Sequence, residues 1–245
     1  MGSVLSLQAA QCHTYEQWFY INWKHCNAVV RSLQRRIVKS IRQGAWRKAK
    51  RLCYLLTRSF AARALAVKRV TENKGKRTAG IDGIKWTTPR QKYFAVELIA
   101  KWKQYQPKSL KRIRIPKPGT DKTRPLSIPT MEDRTSQALL MLALQPIAET
   151  QADRNSYGFR SKRSCADAID QAFKVFRLKG SAQWILEGDI KSFFDNIHFD
   201  WLLQNIPMNK RILKAWLECG FIEERKSFPT TQGVPQGGII TPPTM

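Results

Sequence analysis

The sequence predicts an α+β fold in which a basic helical segment precedes a mixed region of strands and helices. Three observations carry this. Residues 14–70 contain no proline and one glycine, Gly44, with apolar residues at helical spacing. Residues 111–128 hold two runs with strand patterning on either side of a turn. Trp184-Ile185-Leu186 is a short apolar run that meets Gly188 and a lone acidic residue, Asp189. Ile190, Phe193, Phe194 and Ile197 then follow at helical spacing. This last pattern predicts a buried strand that ends in a carboxylate and turns into a short helix, with helix capping as the plainer role for Asp189.

Composition narrows the class. With 245 residues, 42% hydrophobic and 25% charged, the chain is globular and can bury one good core or two small ones. Lys and Arg total 43 against 18 for Asp and Glu, a net charge of +25. Such a balance points to polyanions, nucleic acid first. Membrane is not expected as a partner, since no apolar run approaches a membrane span. Residues 1–10 lack the charged start and apolar core of a secretory signal, so a cytoplasmic location is expected. The cysteines, Cys12, Cys26, Cys53, Cys165 and Cys219, are odd in number and scattered, which suits a reducing compartment. Cys12-His13 and His25-Cys26 carry four zinc donors, but adjacent side chains reach one ion poorly and no knuckle spacing is present.

Taken in order, Val30, Leu33, Ile37 and Ile41 form one helical face, and Arg31, Arg35, Arg36, Lys39 and Arg42 occupy the rest. Gly44 is the expected break. The next helical run has Leu52, Leu55, Leu56 and Phe60 as its apolar side and Lys48, Lys50, Arg51, Arg58 and Arg63 as its charged side. With few acids to balance them, these cations read as a phosphate-backbone surface rather than only a solvated face. Trp18, Trp23 and Trp46 read as core. Residues 72–84 are loop chemistry, with three glycines and the cations Lys74, Lys76 and Arg77. Residues 111–116 alternate cationic and apolar side chains and residues 123–128 return, a hairpin whose Pro116, Pro125 and Pro129 argue for edge positions. Lys117 and Arg124 on it form a pair able to clamp a triphosphate.

Residues 131–148 predict a helix carrying Leu139, Leu140, Leu142 and Leu144, with Asp133 favourable to its dipole. Residues 156–164 interleave aromatics with cations, Arg160 among them, which suits stacking and backbone contacts on single-stranded or hybrid nucleic acid. Residues 165–176 predict a helix with Ala166, Ile169, Phe173 and Phe176 inward. Helices are also expected around Trp201, Leu202, Leu203 and Ile206, and over 212–221.

Five blocks carry a family resemblance. They are residues 72–84, Ile115-Pro116-Lys117-Pro118-Gly119 through Thr123-Arg124-Pro125-Leu126, Ser156-Tyr157-Gly158-Phe159-Arg160, residues 184–197, and Gln232-Gly233-Val234-Pro235-Gln236-Gly237-Gly238. In order and spacing these resemble the group II intron reverse transcriptases, the intron-encoded maturases, over residues 70 to 240. The resemblance implies fingers and a partial palm of a right-hand polymerase over residues 71–245, after a basic helical extension over 1–70 that binds intron RNA and covers the template. It implies Asp189 as a catalytic carboxylate that, with the Ile190 carbonyl, binds Mg²⁺. It also implies Lys117 and Arg124 on the triphosphate, Phe194 under the sugar, and Gln236 at a base or sugar edge. The RNA surface would comprise Arg31, Arg35, Arg36, Lys39, Arg42, Lys74, Lys76, Arg77 and Arg160. Partners would be group II intron RNA or another structured RNA, an RNA template with a DNA primer, and deoxynucleoside triphosphates.

The chain departs from the family pattern in two respects. The aromatic-Ala-Asp-Asp block does not occur, and Thr241-Pro242-Pro243-Thr244-Met245 stands where the family has Ser-Pro-x-Leu-Ala-Asn. Asp195 reads as a cap rather than a second ligand, and Phe193 as core. These 245 residues are therefore expected to polymerise little or not at all alone, as after a frameshift, deletion or excision. A non-catalytic RNA-binding protein and a degenerate gene remnant remain alternatives, and reverse transcriptases tied to CRISPR systems share the same blocks.

Overall fold

Helix formation in the first third follows the apolar stripes. The computed structural model describes residues 16–102, 104–235 and 238. Helix α1 spans Trp23–Arg42 and starts at Asn22, whose side chain accepts from the His25 N–H at 2.9 Å. Val30, Ile37 and Ile41 are buried along it, and Leu33 packs against the same core. The chain breaks around Gly44 as expected, and α2 runs over Trp46–Arg58. Ser59 then caps a separate helix, α3 (Phe60–Glu72), accepting from Ala62 N–H at 3.2 Å. Sequence patterning alone carries α2 through to Arg63. Ser59 ends that run, and within α2 Leu52 and Leu56, one turn apart on one face, are buried while Leu55 stays exposed, as does Phe60 in α3.

Helix α3 is apolar on most sides and built from small residues. Ala61, Ala62, Ala64, Ala66, Val67 and Val70 are all buried, and the helix packs against both α1 and α5 (Met131–Gln151). Small side chains let helix backbones approach closely, so one short helix can serve two neighbours. Helix α4 (Pro89–Leu98) starts with a capping box between Thr88 and Gln91 and packs on α3. A single cluster of buried apolar residues extends from Trp18 to Leu217.

Strands β1 (Leu110–Pro116) and β2 (Thr123–Ile128) form the expected antiparallel hairpin, with Ile113 opposite Leu126 and Ile115 opposite Arg124. Strand β2 lies at the sheet edge, where Pro125 costs no ladder bond to a further strand. On the other side β1 pairs in parallel with β3 (Phe221–Glu223), which pairs with β4 (Lys226–Phe228). This second hairpin is not legible in the sequence pattern. The helix expected over 212–221 is α8, Lys210–Glu218, and it ends early because Phe221 joins the sheet. There its ring stacks on Phe228 at 5.2 Å and carries the Arg112 guanidinium over it at 3.3 Å.

Two further expectations are corrected. Helix α6 (Cys165–Phe176) forms over the range expected, opened by a Ser164–Asp167 capping box, but its apolar face is not inward. Ala166, Ile169, Phe173 and Phe176 are exposed. The Trp184-Ile185-Leu186 run is neither strand nor buried, with Trp184 93% and Leu186 96% exposed. A strand exists only where a neighbour accepts its ladder bonds, and among the described residues none pairs with this run. The helix expected after it is one 3₁₀ turn, Phe193–Asp195, and α7 follows at Phe199–Asn205.

The first turn of α5 holds a buried polar hub, where sequence patterning shows only an acid favourable to the helix dipole. Asp133 accepts from the Tyr105 hydroxyl at 2.6 Å, the Thr130 hydroxyl at 2.6 Å and the Lys108 N–H at 3.4 Å. The Trp216 indole N–H in α8 donates to the Tyr105 oxygen at 2.7 Å. Burial raises the Asp133 pKa, partly opposed by these donors, and burial beside Asp133 raises that of Tyr105 further still. Asp133→Ala leaves two hydroxyls without their acceptor in the core. The expected loss is about 2–4 kcal/mol of unfolding free energy, read as a lower urea midpoint. Trp216→Phe removes only the outer donor and should cost about 1 kcal/mol.

Candidate nucleic-acid interface and nucleotide site

The basic surface begins with a charge asymmetry in the chain itself. Between Glu16 and Glu72 there is no Asp or Glu. Arg31, Arg35, Arg36, Lys39 and Arg42 are all exposed on α1, and among the described residues none of the five is in an ion pair. Arg31, Arg35 and Lys39 recur every four residues, so they form one row along the helix. Lys74, Lys76 and Arg77 are exposed on a single 3₁₀ turn, Lys74–Arg77. That turn is held from below. The buried Arg134 guanidinium donates to Gly75 O at 3.0 Å, Thr78 O at 2.8 Å and Pro129 O at 2.9 Å. Gly80 lies so close to α5 that a Cβ there would meet Thr130 Cα at 2.6 Å. The loop therefore presents its cations from a fixed backbone.

On the β1–β2 hairpin both Lys117 and Arg124 are exposed. Arg124 faces Ile115 across the ladder, and the Lys117 N–H donates to Lys122 O at 2.9 Å. By strand alternation Lys117 shares a face with Ile115, so the two cations are diagonal neighbours on one face of the hairpin. Arg160 is placed differently. Its Nη1 lies 3.6 Å from Glu149 Oε1, its Nε donates to Ser156 Oγ at 3.3 Å, and its side chain is 16% exposed. Arg163 approaches the same carboxylate at 3.6 Å. Glu149 thus offsets the charge of this loop and anchors it to α5.

Asp189 lies in an exposed segment without regular secondary structure. Among the described residues no hydrogen bond or ion pair engages it, and no group of three His, Cys, Asp or Glu is positioned to hold a metal. A Mg²⁺ ion is commonly held by one or two protein carboxylates, with water and substrate phosphates supplying its other oxygens. Asp189 and the Ile190 carbonyl are two oxygen donors of the kind it takes. Phe194 is half-buried against Phe193, edge to face at 5.4 Å. The fold does bring Phe194 to the last sequence block. Val234 N–H donates to Phe194 O at 2.7 Å, and Gly233 N–H donates to Ile197 O at 3.0 Å. Gln236, two residues further on, lies outside the described residues, as do Cys12 and His13. Gly233 has φ +79°, and a Cβ there would meet Asp195 O at 2.8 Å and Phe194 O at 2.9 Å.

The last sequence block thus closes onto the block that holds Phe194, in a fold that also carries a basic helical segment and the β1–β2 hairpin. Comparisons with known proteins give the family. Residues 18–99 match the N-terminal domain of reverse transcriptase, and residues 115–245 match reverse transcriptase (RNA-dependent DNA polymerase). The chain belongs to the reverse transcriptase/maturase family of group II introns. The group II intron-encoded protein LtrA of Lactococcus lactis subsp. cremoris is 34% identical over 186 residues, covering 73% of this chain and 30% of that protein. Protein YkfC of Escherichia coli (strain K12) is 34% identical over 194 residues, 73% of this chain and 50% of its own length. Maturase-like protein 1 of Euglena gracilis is 26% identical over 213 residues, 83% of this chain and 46% of its own. The chain spans half or less of the length of these relatives.

The close approach at Gly233 gives a direct test. Gly233→Ala must move the Phe194–Asp195 carbonyls or the turn, at a cost of about 1–3 kcal/mol. The expected result is faster hydrogen exchange at Val234, with protection in α1 and α3 unchanged.

Proposed function

We propose that this chain is the RNA- and nucleotide-binding front of a group II intron-type RNA-directed DNA polymerase. The functional division follows the sequence pattern, with residues 1–70 as RNA-binding extension and 71–245 as fingers and partial palm. The observation that carries it is the row of unpaired cations on α1 in a stretch free of carboxylates. Structured RNA would lie along Arg31, Arg35, Arg36, Lys39 and Arg42 and reach Lys74, Lys76 and Arg77. Phosphate contacts of this kind release counterions, so affinity falls steeply with salt. Arg160 would act by shaping its loop rather than by offering a free charge, since Glu149 holds it. Lys117 and Arg124 take the triphosphate, Arg124 through its fork of donors. Phe194 supports the sugar, and Gln236 reads a base or sugar edge. No membrane partner is proposed; among the described residues no helix is long and apolar enough to cross a membrane.

Asp189 and the Ile190 carbonyl are assigned as this chain's share of a Mg²⁺ site. Divalent ions in such enzymes stabilise the attacking and leaving oxygens. No chemical step is assigned to these residues alone.

Replacing Arg31, Arg35, Arg36, Lys39 and Arg42 by Gln should weaken binding of a structured RNA. It should also flatten the plot of log affinity against log salt by about 0.7–0.9 for each phosphate no longer neutralised. Unchanged affinity and slope would refute the RNA surface. In a protein where family palm and thumb follow these residues, Arg124→Ala should raise the nucleotide KM or lower kcat about tenfold or more. Kinetics untouched by both Arg124→Ala and Lys117→Ala would remove the triphosphate assignment. Primer extension by residues 1–245 with Mg²⁺ and deoxynucleotides should stay at background. Extension that disappears in Asp189→Ala would show instead that the carboxylates present suffice.

A further inference from the structure

A cavity of about 840 Å³ opens between α2, α5 and the junction of α7 with α8. It falls within the range of about 300–1,000 Å³ typical of pockets for small ligands. Its floor is apolar, with Leu140 and Ala143 of α5. Its wall on α2 repeats every four residues as Trp46, Lys50, Tyr54 and Arg58. One helical face thus alternates ring and cation, about 6 Å apart by helix rise. Trp46 is 38% and Tyr54 56% exposed, so both rings present open surface. The Arg58 guanidinium sits 4.7 Å from the Tyr54 ring centre, a cation–π contact within the lining. Trp102 also lines the cavity, and its carbonyl accepts from Arg211 Nη2 at 2.9 Å. Among the described residues no Asp or Glu lines the cavity.

Flat aromatic surface with adjacent cations and no carboxylate suits a ligand that is planar at one end and anionic at the other. We propose that this cavity receives an unpaired nucleotide of the bound RNA, its base stacked on the Trp46 or the Tyr54 ring and its phosphate held by the cation beside that ring, Lys50 or Arg58. The inference rests on the RNA-binding reading above. Helix α2 lies in the same carboxylate-free stretch of sequence as the α1 cation row. The pocket would add to that surface a preference for RNA with an unstacked base. Base–aromatic stacking tolerates any base, so the preference is for an unpaired nucleotide and not for its identity.

The experiment compares a fully paired RNA hairpin with the same hairpin carrying one bulged nucleotide. The proteins are the wild type, the double variant Trp46→Leu with Tyr54→Leu, and Lys50→Gln, each checked for thermal unfolding. Wild type should bind the bulged RNA roughly tenfold more tightly. The Leu variant should lose that preference while keeping its affinity and salt slope for the paired RNA. Lys50→Gln should lower the slope on the bulged RNA by about 0.7–0.9 more than on the paired one. A 4-thiouridine at the bulge should crosslink to residues 46–58 of the unaltered protein, a readout that holds even if a variant misfolds. Equal affinity of wild type for both RNAs, a preference that survives the Leu variant, or crosslinking elsewhere overturns the pocket and leaves the RNA surface standing. No binding to either RNA overturns both.

Discussion

Two neighbouring charges at the start of α5, buried and pointing into different partners, hold the parts of this protein together. Asp133 reaches Tyr105 and, through it, Trp216 of α8. Arg134 reaches the backbone of the basic loop at Gly75 and Thr78 and the end of β2 at Pro129. Neither relies on the other as an ion-pair partner: Asp133 is satisfied by hydroxyl and amide donors, Arg134 by three carbonyls. Burial pushes the Asp133 pKa up and the Arg134 pKa down, so both charges are held at an electrostatic disadvantage that local dipoles offset. Taking away such partners leaves a buried charge or polar group without compensation, among the larger penalties known in protein interiors. The basic loop, the sheet and α8 therefore share one anchor.

The second constraint is repulsion. A helical surface with cations and no carboxylates opposes its own compaction. The apolar side of α1 and the alanine-rich α3 counter it, with α3 buried between α1 and α5. That packing leaves the cation row unpaired and outward. Where the chain does place an acid beside its cations, as at Glu149 with Arg160 and Arg163, the arginines become structural. The presence or absence of one carboxylate separates a cation available to a phosphate from one used by the fold.

An apolar surface also remains uncovered. Ile169, Phe173 and Phe176 on α6 and Trp184, Ile185 and Leu186 after it are exposed side chains of types that normally fill cores. Their patterns predict a helix face and a strand. The helix forms because hydrogen bonds within a helix and the Ser164–Asp167 box need no neighbour. The strand does not, because its ladder bonds must come from another segment.

This difference also divides what was legible. The sequence by itself determined most of the helices, the Gly44 break, the β1–β2 hairpin, the cation row on α1 and the family blocks. All of these rest on local periodicity, caps and motif spacing. Sequence patterning runs α2 past Ser59, where the better cap wins, and extends α8 over Phe221, where a strand pairing wins. Tertiary structure alone decided the docking of the β3–β4 hairpin on β1, the Tyr105–Asp133–Trp216 chain, the grip of Arg134 on the basic loop and the closure of Val234 onto Phe194. Trp46, which reads as core, instead lines an open cavity because α7 and α8 stand off from α2 there. Each of these joins distant residues, from 28 to 111 positions apart in the Tyr105 chain, or depends on the space between helices. Burial and long-range hydrogen bonding arise only when distant segments meet, and no periodicity within one segment encodes where its partner will be.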